Sequence, residues 1–118
     1  MTRIALIQQQ ASADKRANVE LGVRALETAA ANGAELVCFP ELAFEPFYPQ
    51  RRAERGFEHL AEPVPGPTTD TFAARARQLG VVVVLNLFER DGQRCNDTTP
   101  VLDADGTLLG RTGTVPIP

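Results

Sequence analysis

In a chain of 118 residues, one acid stands where an apolar run stops: Leu36-Val37-Cys38-Phe39 is ended by Pro40, and Glu41 follows. Proline has no N–H, so a sheet ladder cannot continue through it. In open α/β sheets, ligands bind beyond the carboxyl ends of the strands. A carboxylate at such a mouth, partly desolvated by Phe39 and Phe44, has a raised pKa and can act as a general base. The same position also suits a helix cap or a surface acid at a loop start, and position alone does not separate the readings. A nucleophile is harder to find. In a strand, residues 37, 39 and 41 share one face and Cys38 points to the other. That predicts Cys38 as a small buried apolar residue rather than a partner of Glu41. Cys95 lies beside a hairpin with no base near it in sequence.

Other chemistries find less support. Two cysteines make no disulfide framework, and the lone histidine, His59, has no second ligand at metal-site spacing. The first strand–helix turn, Gln8-Gln9-Gln10-Ala11-Ser12-Ala13-Asp14, has no glycine to let backbone approach a pyrophosphate. Arg51, Arg52 and Arg55 could hold a substrate carboxylate, but such a cluster is more often a solvated helix face. With a net charge of −3 and a pI near 5.1, no basic stripe invites nucleic acid. The N-terminal apolar run, residues 4–7, is too short for a secretion signal, and no segment is long enough to span a membrane. A cytoplasmic protein without a cofactor or metal is the expectation.

The elements that must position Glu41 follow from periodicity. Residues 3–8 read as a strand. Asp14 can cap a helix whose inward stripe is Val19, Gly22, Val23, Leu26, Ala29 and Ala30, stopped by Gly33. Residues 34–39 form a continuous apolar run, suited to a strand covered on both faces. This is a parallel βαβ unit. Residues 42–67 are irregular and rich in proline and aromatics, with a short helix plausible near 51–60; long structured loops are usually functional. A second helix over 67–80 takes Thr68 or Thr69 as its cap and turns Phe72, Ala73, Ala76 and Leu79 inward. Residues 81–89 read as one strand, followed by a hairpin turn at 90–93, a strand over 96–103 weakened by Pro100, a turn at 103–106 and a last strand. The order is βαβ, then an antiparallel meander.

Three stretches, in this order, resemble the nitrilase superfamily of carbon–nitrogen hydrolases: "GAELVCFPEL", "PGPTTDTFAARARQLGVVVVLNLFER" and "NDTTPVLDADGTLLGRT", with Asn18 on the helix between the first strands. The resemblance covers nearly all of the chain, and implies a single partial domain over 1–118, the N-terminal half of a four-layer α-β-β-α sandwich with strands from both sheets. It implies a Glu–Lys–Cys site acting on amide, nitrile or N-carbamoyl carbon, with the Glu carried by Glu41. The family's Lys falls at Thr114 and its neighbouring His at Pro116, while Lys15 matches nothing catalytic. The family's Cys lies beyond residue 118. The resemblance thus implies a fragment, inactive by itself, of an enzyme for small amide or N-carbamoyl substrates, completed by a C-terminal half or forming homo-oligomers. The alternative is a non-catalytic module that binds a small amide or assembles with a partner.

Overall fold

The computed structural model of the protein describes residues 2–45 and 61–113. In chain order the elements are β1 (Ile4–Leu6), α1 (Lys15–Ala31), β2 (Leu36–Cys38), α2 (Pro67–Leu79), β3 (Val82–Val84), β4 (Leu87–Asp91), β5 (Arg94–Leu102) and β6 (Leu108–Gly113). The anticipated short helix near 51–60, and residues 46–60 generally, lie outside the described residues, as does 114–118.

Each helix has local reasons for its ends. The Asp14 carboxylate accepts from the N–H groups of Arg16 and Ala17 and so caps α1. Its C-terminus closes with Gly33 at φ 91°, where Gly33 N–H reaches Ala30 O and Ala34 N–H reaches Ala29 O. Only a residue without Cβ takes that conformation cheaply. The cap of α2 differs from the expectation. Gly66, not Thr68 or Thr69, is the N-cap, with Pro67 at the first helical position. Thr69 serves the cap from inside: its hydroxyl accepts Gly66 N–H at 2.7 Å. Thr68 is directed to Glu62 instead.

The six strands form one sheet, in which β1, β2 and β3 run parallel and in order, and β3 continues antiparallel onto β5. The strands β4, β5 and β6 make the anticipated antiparallel meander. The expectation of strands from two sheets is corrected here: β5 spans nine residues and ties all of the described strands together. The apolar run 81–89 is likewise not one strand. It breaks at Leu85–Asn86 into β3 and β4, which lie along the same edge of β5, Val84 opposite Val101 and Leu87 opposite Thr98. Asn86 is the polar residue in that run, and its side chain bonds outside the ladder, donating to Thr99 Oγ1 and accepting from Leu42 N–H.

Both helices pack on one face of the sheet. There Val37, Val83 and Leu102 pack under Leu26, Ala29, Phe72 and Ala76. Phe39, Phe44 and Phe72 form a three-ring cluster with centroids 5.0–5.4 Å apart. The other face carries Ile4, Leu36 and Val82 in one row and Leu6, Cys38, Val84 and Val101 in the next. Ile4 is 58% and Leu6 75% exposed, and the others are half-buried. Among the described residues, the run 34–39 is therefore fully covered on one face only. Among the described residues no helix is long and apolar enough to cross a membrane.

Gly22 lies where α1 approaches the rings. A Cβ there would meet Phe44 Cε1 at 2.5 Å and Phe72 Cζ at 3.1 Å. Alanine would gain about 1 kcal/mol of helix propensity, but overpacking a locked ring cluster costs about 1–3 kcal/mol. Gly22→Ala should therefore lower the urea midpoint; an unchanged or raised midpoint would mean that the rings move aside freely.

Candidate functional site

Pro40 ends the pairing of β2, whose last ladder bond runs from Phe39 N–H to Val84 O at 3.0 Å. The chain then turns through residues 41–44. Glu41 opens that turn and is exposed, while Leu42, Ala43, Phe44 and Glu45 behind it are buried. The desolvation anticipated from Phe39 and Phe44 does not reach Glu41, because both rings turn into the core with Phe72. Strand alternation also stops short of Glu41, since β2 ends at Cys38 and a turn intervenes.

With no ladder to hold it, the turn is bound by side chains from other elements. Leu42 N–H donates to Asn86 Oδ1 at 2.9 Å, and Leu42 itself sits at φ 49°, a conformation rare for a branched side chain. Gln9 Nε2, just past β1, donates to Ala43 O at 3.2 Å. Asn18 Nδ2 donates to Phe44 O and to Ser12 O, each at 3.0 Å, while its Oδ1 accepts from the backbone N–H and the hydroxyl of Ser12. Asn18 is 2% exposed. A buried amide using both its donors and its acceptor is a strong geometric constraint.

Behind the turn lies a group of charges that the sequence reading missed. Lys15 Nζ lies 3.1 Å from Glu45 Oε1 and 2.8 Å from Glu62 Oε2. Glu45 also accepts from Phe88 N–H at 3.3 Å. Glu62 accepts from Thr68 N–H and Thr68 Oγ1, each at 2.8 Å, and its own backbone pairs beside β4. Burial pushes the Glu45 carboxyl above the usual carboxylate range, with Glu62 adding to the rise, against the pull of the Lys15 ammonium and the Phe88 N–H. A second network lies nearby in the chain. Arg111 Nη1 reaches both Glu89 Oε2 at 2.6 Å and Val64 O, and Thr98 Oγ1 donates to Glu89 Oε1. It ties β4, β5 and β6 to the segment entering α2. The signal for Lys15 was weak: it is the only lysine in the chain, placed at the start of a helix.

The cysteines divide. Cys38 lies on the sheet face away from the helices, as alternation requires, but it is half-buried rather than buried, since that face is open here. Partial burial raises its thiol pKa, which keeps it un-ionised. Cys95 packs, half-buried, against the small cluster of Leu42 and Phe88, so it comes near the residue next to Glu41, a neighbourhood that no local pattern in the sequence announces. No hydrogen bond joins it to Glu41 among the described residues. There, too, no three His, Cys, Asp or Glu side chains are grouped to hold a metal. Arg51, Arg52, Arg55, His59 and Thr114 lie outside the described residues.

Residues 3–114 match the carbon-nitrogen hydrolase family. The chain belongs to that family. It is 32% identical over 111 residues to N-carbamoylputrescine amidase from Solanum lycopersicum, covering 93% of this chain and 37% of the relative. It is 36% identical over 109 residues to a protein named nitrilase 3 from an unknown prokaryotic organism, covering 82% and 33%. Among solved structures, an amidase from Nesterenkonia sp. AN1, showing Michael addition of acrylamide at its active site cysteine, superposes with a TM-score of 0.77 at 26% identity, over 98% of this chain and 44% of that one. A carbon-nitrogen hydrolase from Helicobacter pylori shares the fold with a TM-score of 0.84, over 99% of this chain and 40% of that one. The chain thus spans less than half of each of these proteins, from 33% to 44% of their length.

Removing the ammonium from the buried group leaves the acids Glu45 and Glu62 facing each other without that cation, which typically costs about 3–5 kcal/mol. Lys15→Met should destabilise the chain strongly at pH 8 and less at pH 5, because burial pushes the Glu45 carboxyl up and a protonated Glu45 no longer repels Glu62. Denaturant titrations at the two pH values measure the difference; equal losses at both would mean that packing of the lysine stem, not its charge, matters.

Proposed function

We propose that this chain is the N-terminal part of a hydrolase acting on non-peptide carbon–nitrogen bonds, with small linear amides or N-carbamoyl compounds as substrates and Glu41 as its general base. The observation that carries this reading is the turn at 41–45. Its donors and acceptors are held by Gln9, Asn18 and Asn86, and the one residue it leaves exposed is a carboxylate. Surface acids at loop starts do not ordinarily need side chains from three elements to fix the backbone behind them.

The proposed chemistry is covalent. Glu41 takes the proton of a thiol, the thiolate attacks the amide or carbamoyl carbon, and the tetrahedral oxyanion collapses as the leaving nitrogen takes that proton from Glu41 and departs as ammonia or an amine. Water, deprotonated by the same carboxylate, then hydrolyses the thioester. The thiol would come from the part of the family domain that the chain does not span. The oxyanion needs a cation or paired donors, and at the family's lysine position the sequence has Thr114. Lys15 does not substitute, because its ammonium is engaged with Glu45 and Glu62. That threonine favours a second reading, in which the chain descends from the hydrolases but binds an amide or assembles without turnover.

The two readings separate by experiment. The unmodified chain should release no ammonia from a panel of amides, nitriles and N-carbamoyl amino acids, since a general base alone contributes about 10²–10⁴-fold. Thr114→Lys alone should not rescue it. Joined to the C-terminal part of an amidase relative, the Thr114→Lys chain should turn over, and Glu41→Gln should abolish that turnover. Turnover by the unmodified chain that is lost in Glu41→Gln would overturn the assignment of the nucleophile.

The open sheet face supports a companion proposal about assembly. Rows of partly exposed Ile4, Leu6, Leu36, Val82 and Val84 favour association. The chain by itself should sediment as oligomers or aggregates; a sharp monomer boundary together with a cooperative melt would refute this.

A further inference from the structure

We propose that Glu45 is a positioning residue for Glu41: its buried carboxyl, gripped by Lys15 of α1 and the Phe88 N–H of β4, pins the far end of the turn that presents the base, and the pin holds only while the group of charges is balanced. This rests on the reading of Glu41 as the base, and deepens it.

The geometry carries the proposal. Glu45 closes the turn, its N–H donating to Leu42 O at 3.1 Å, and its side chain has no exposed area. One oxygen, Oε1, receives both Lys15 and Phe88 N–H. The other, Oε2, is buried without a hydrogen-bond partner. An ionised carboxylate with one oxygen unsolvated and unpaired is costly, whereas a protonated one leaves only a neutral hydroxyl there. Among the described residues, the groups facing Glu45 are Lys15 from α1, Glu62 from the segment entering α2, and the uncharged Phe88 N–H from β4. Glu62 is the better solvated of the two acids, with Thr68 N–H and Thr68 Oγ1 on its oxygens. With one oxygen buried and unpaired, Glu45 is the acid of the two on which a charge is the more costly.

The direction of the pH effect follows. Burial raises the Glu45 pKa in the folded chain relative to the unfolded one, so in the window between the two values the folded state binds the extra proton. The grip on the turn is complete below that window and weakens as pH rises through it. Glutamine mimics the protonated acid. Its carbonyl still accepts from Lys15 and Phe88, and it has nothing to lose.

The test is hydrogen exchange on the whole 118-residue chain, read as protection factors so that the intrinsic pH dependence is removed. In the wild-type chain, protection of the residue 42 and residue 45 amides should fall as pH rises above the ordinary carboxylate range, while the Gly80 amide at the end of α2 stays constant. Glu45→Gln should keep the low-pH protection and lose the pH dependence. Glu45→Ala should lower protection at both amides by about tenfold or more, because the pin is gone. If Glu45→Ala does not fold, the Glu45→Gln profile decides alone. Unchanged protection in a folded Glu45→Ala chain, or a Glu45→Gln profile that still follows the wild-type pH dependence, overturns the proposal. Glu41→Gln keeps the two questions apart: it removes any base while leaving the exchange profile as in wild type, so a failed catalytic reading and a failed pin give different results.

Discussion

A turn that follows a proline has no ladder to rest on, and the structure is organised around that constraint. Pro40 ends β2 just where the sheet would otherwise have fixed the next residues. The groups of residues 42–45 then have to find partners elsewhere, since buried backbone polar groups left unpaired cost as much as lost hydrogen bonds. They find them in side chains. Gln9 comes from the exit of β1, Asn18 and Lys15 from α1, and Asn86 from the break between β3 and β4. Each of these polar residues is buried or half-buried, which the fold tolerates only because each is bonded. The result is a rigid backbone corner with Glu41 on its outer edge.

This dependence accounts for features that otherwise look like defects. The strand 82–91 is interrupted at Asn86, and the interruption frees an amide that serves Leu42 on one side and Thr99 on the other. The first helical turn of α1 carries a lysine directed inward, although long cations usually lie in water. It does so because Glu45 and Glu62 converge there from opposite ends of the segment 45–62. The ends of that segment are thereby held against one helix. Glu62 is also paired beside β4, and Val64 is bound by Arg111, so the chain entering α2 is fixed to the sheet edge.

Much of this was legible in the sequence, and the rest was hidden for identifiable reasons. The helix stripes, the glycine stops at 33 and 80, the meander turns and the strand end before Glu41 are local patterns, set within a few residues. The Lys15–Glu45 and Lys15–Glu62 pairs are separated by 30 and 47 positions (45 − 15 and 62 − 15), and no periodicity links them. Asn18 was noticed only through a family resemblance; in a helical stripe, an asparagine reads as an exception rather than a clamp. The cap of α2 was misplaced because threonine is a strong capping residue, yet Pro67 at the first helical position forces the cap back to Gly66. Asn86 was the visible warning in a run of valines and leucines, where one polar residue marks the point at which the strand leaves its line.

The open sheet face belongs to the same argument. A helix layer covers one side of the parallel strands, and the side bearing Cys38 keeps apolar rows within reach of solvent. The clamps on the turn need nothing from that side: Gln9, Asn18, Lys15 and Asn86 all lie within the described chain. Presentation of Glu41 is therefore a local achievement of the described residues, which leave Glu41 exposed. An exposed carboxylate is solvated, and a layer over the strand ends would withdraw water from it. The physical division is between a preorganised corner, built by buried hydrogen bonds within one layer pair, and a reactive environment, which requires further surface laid against it.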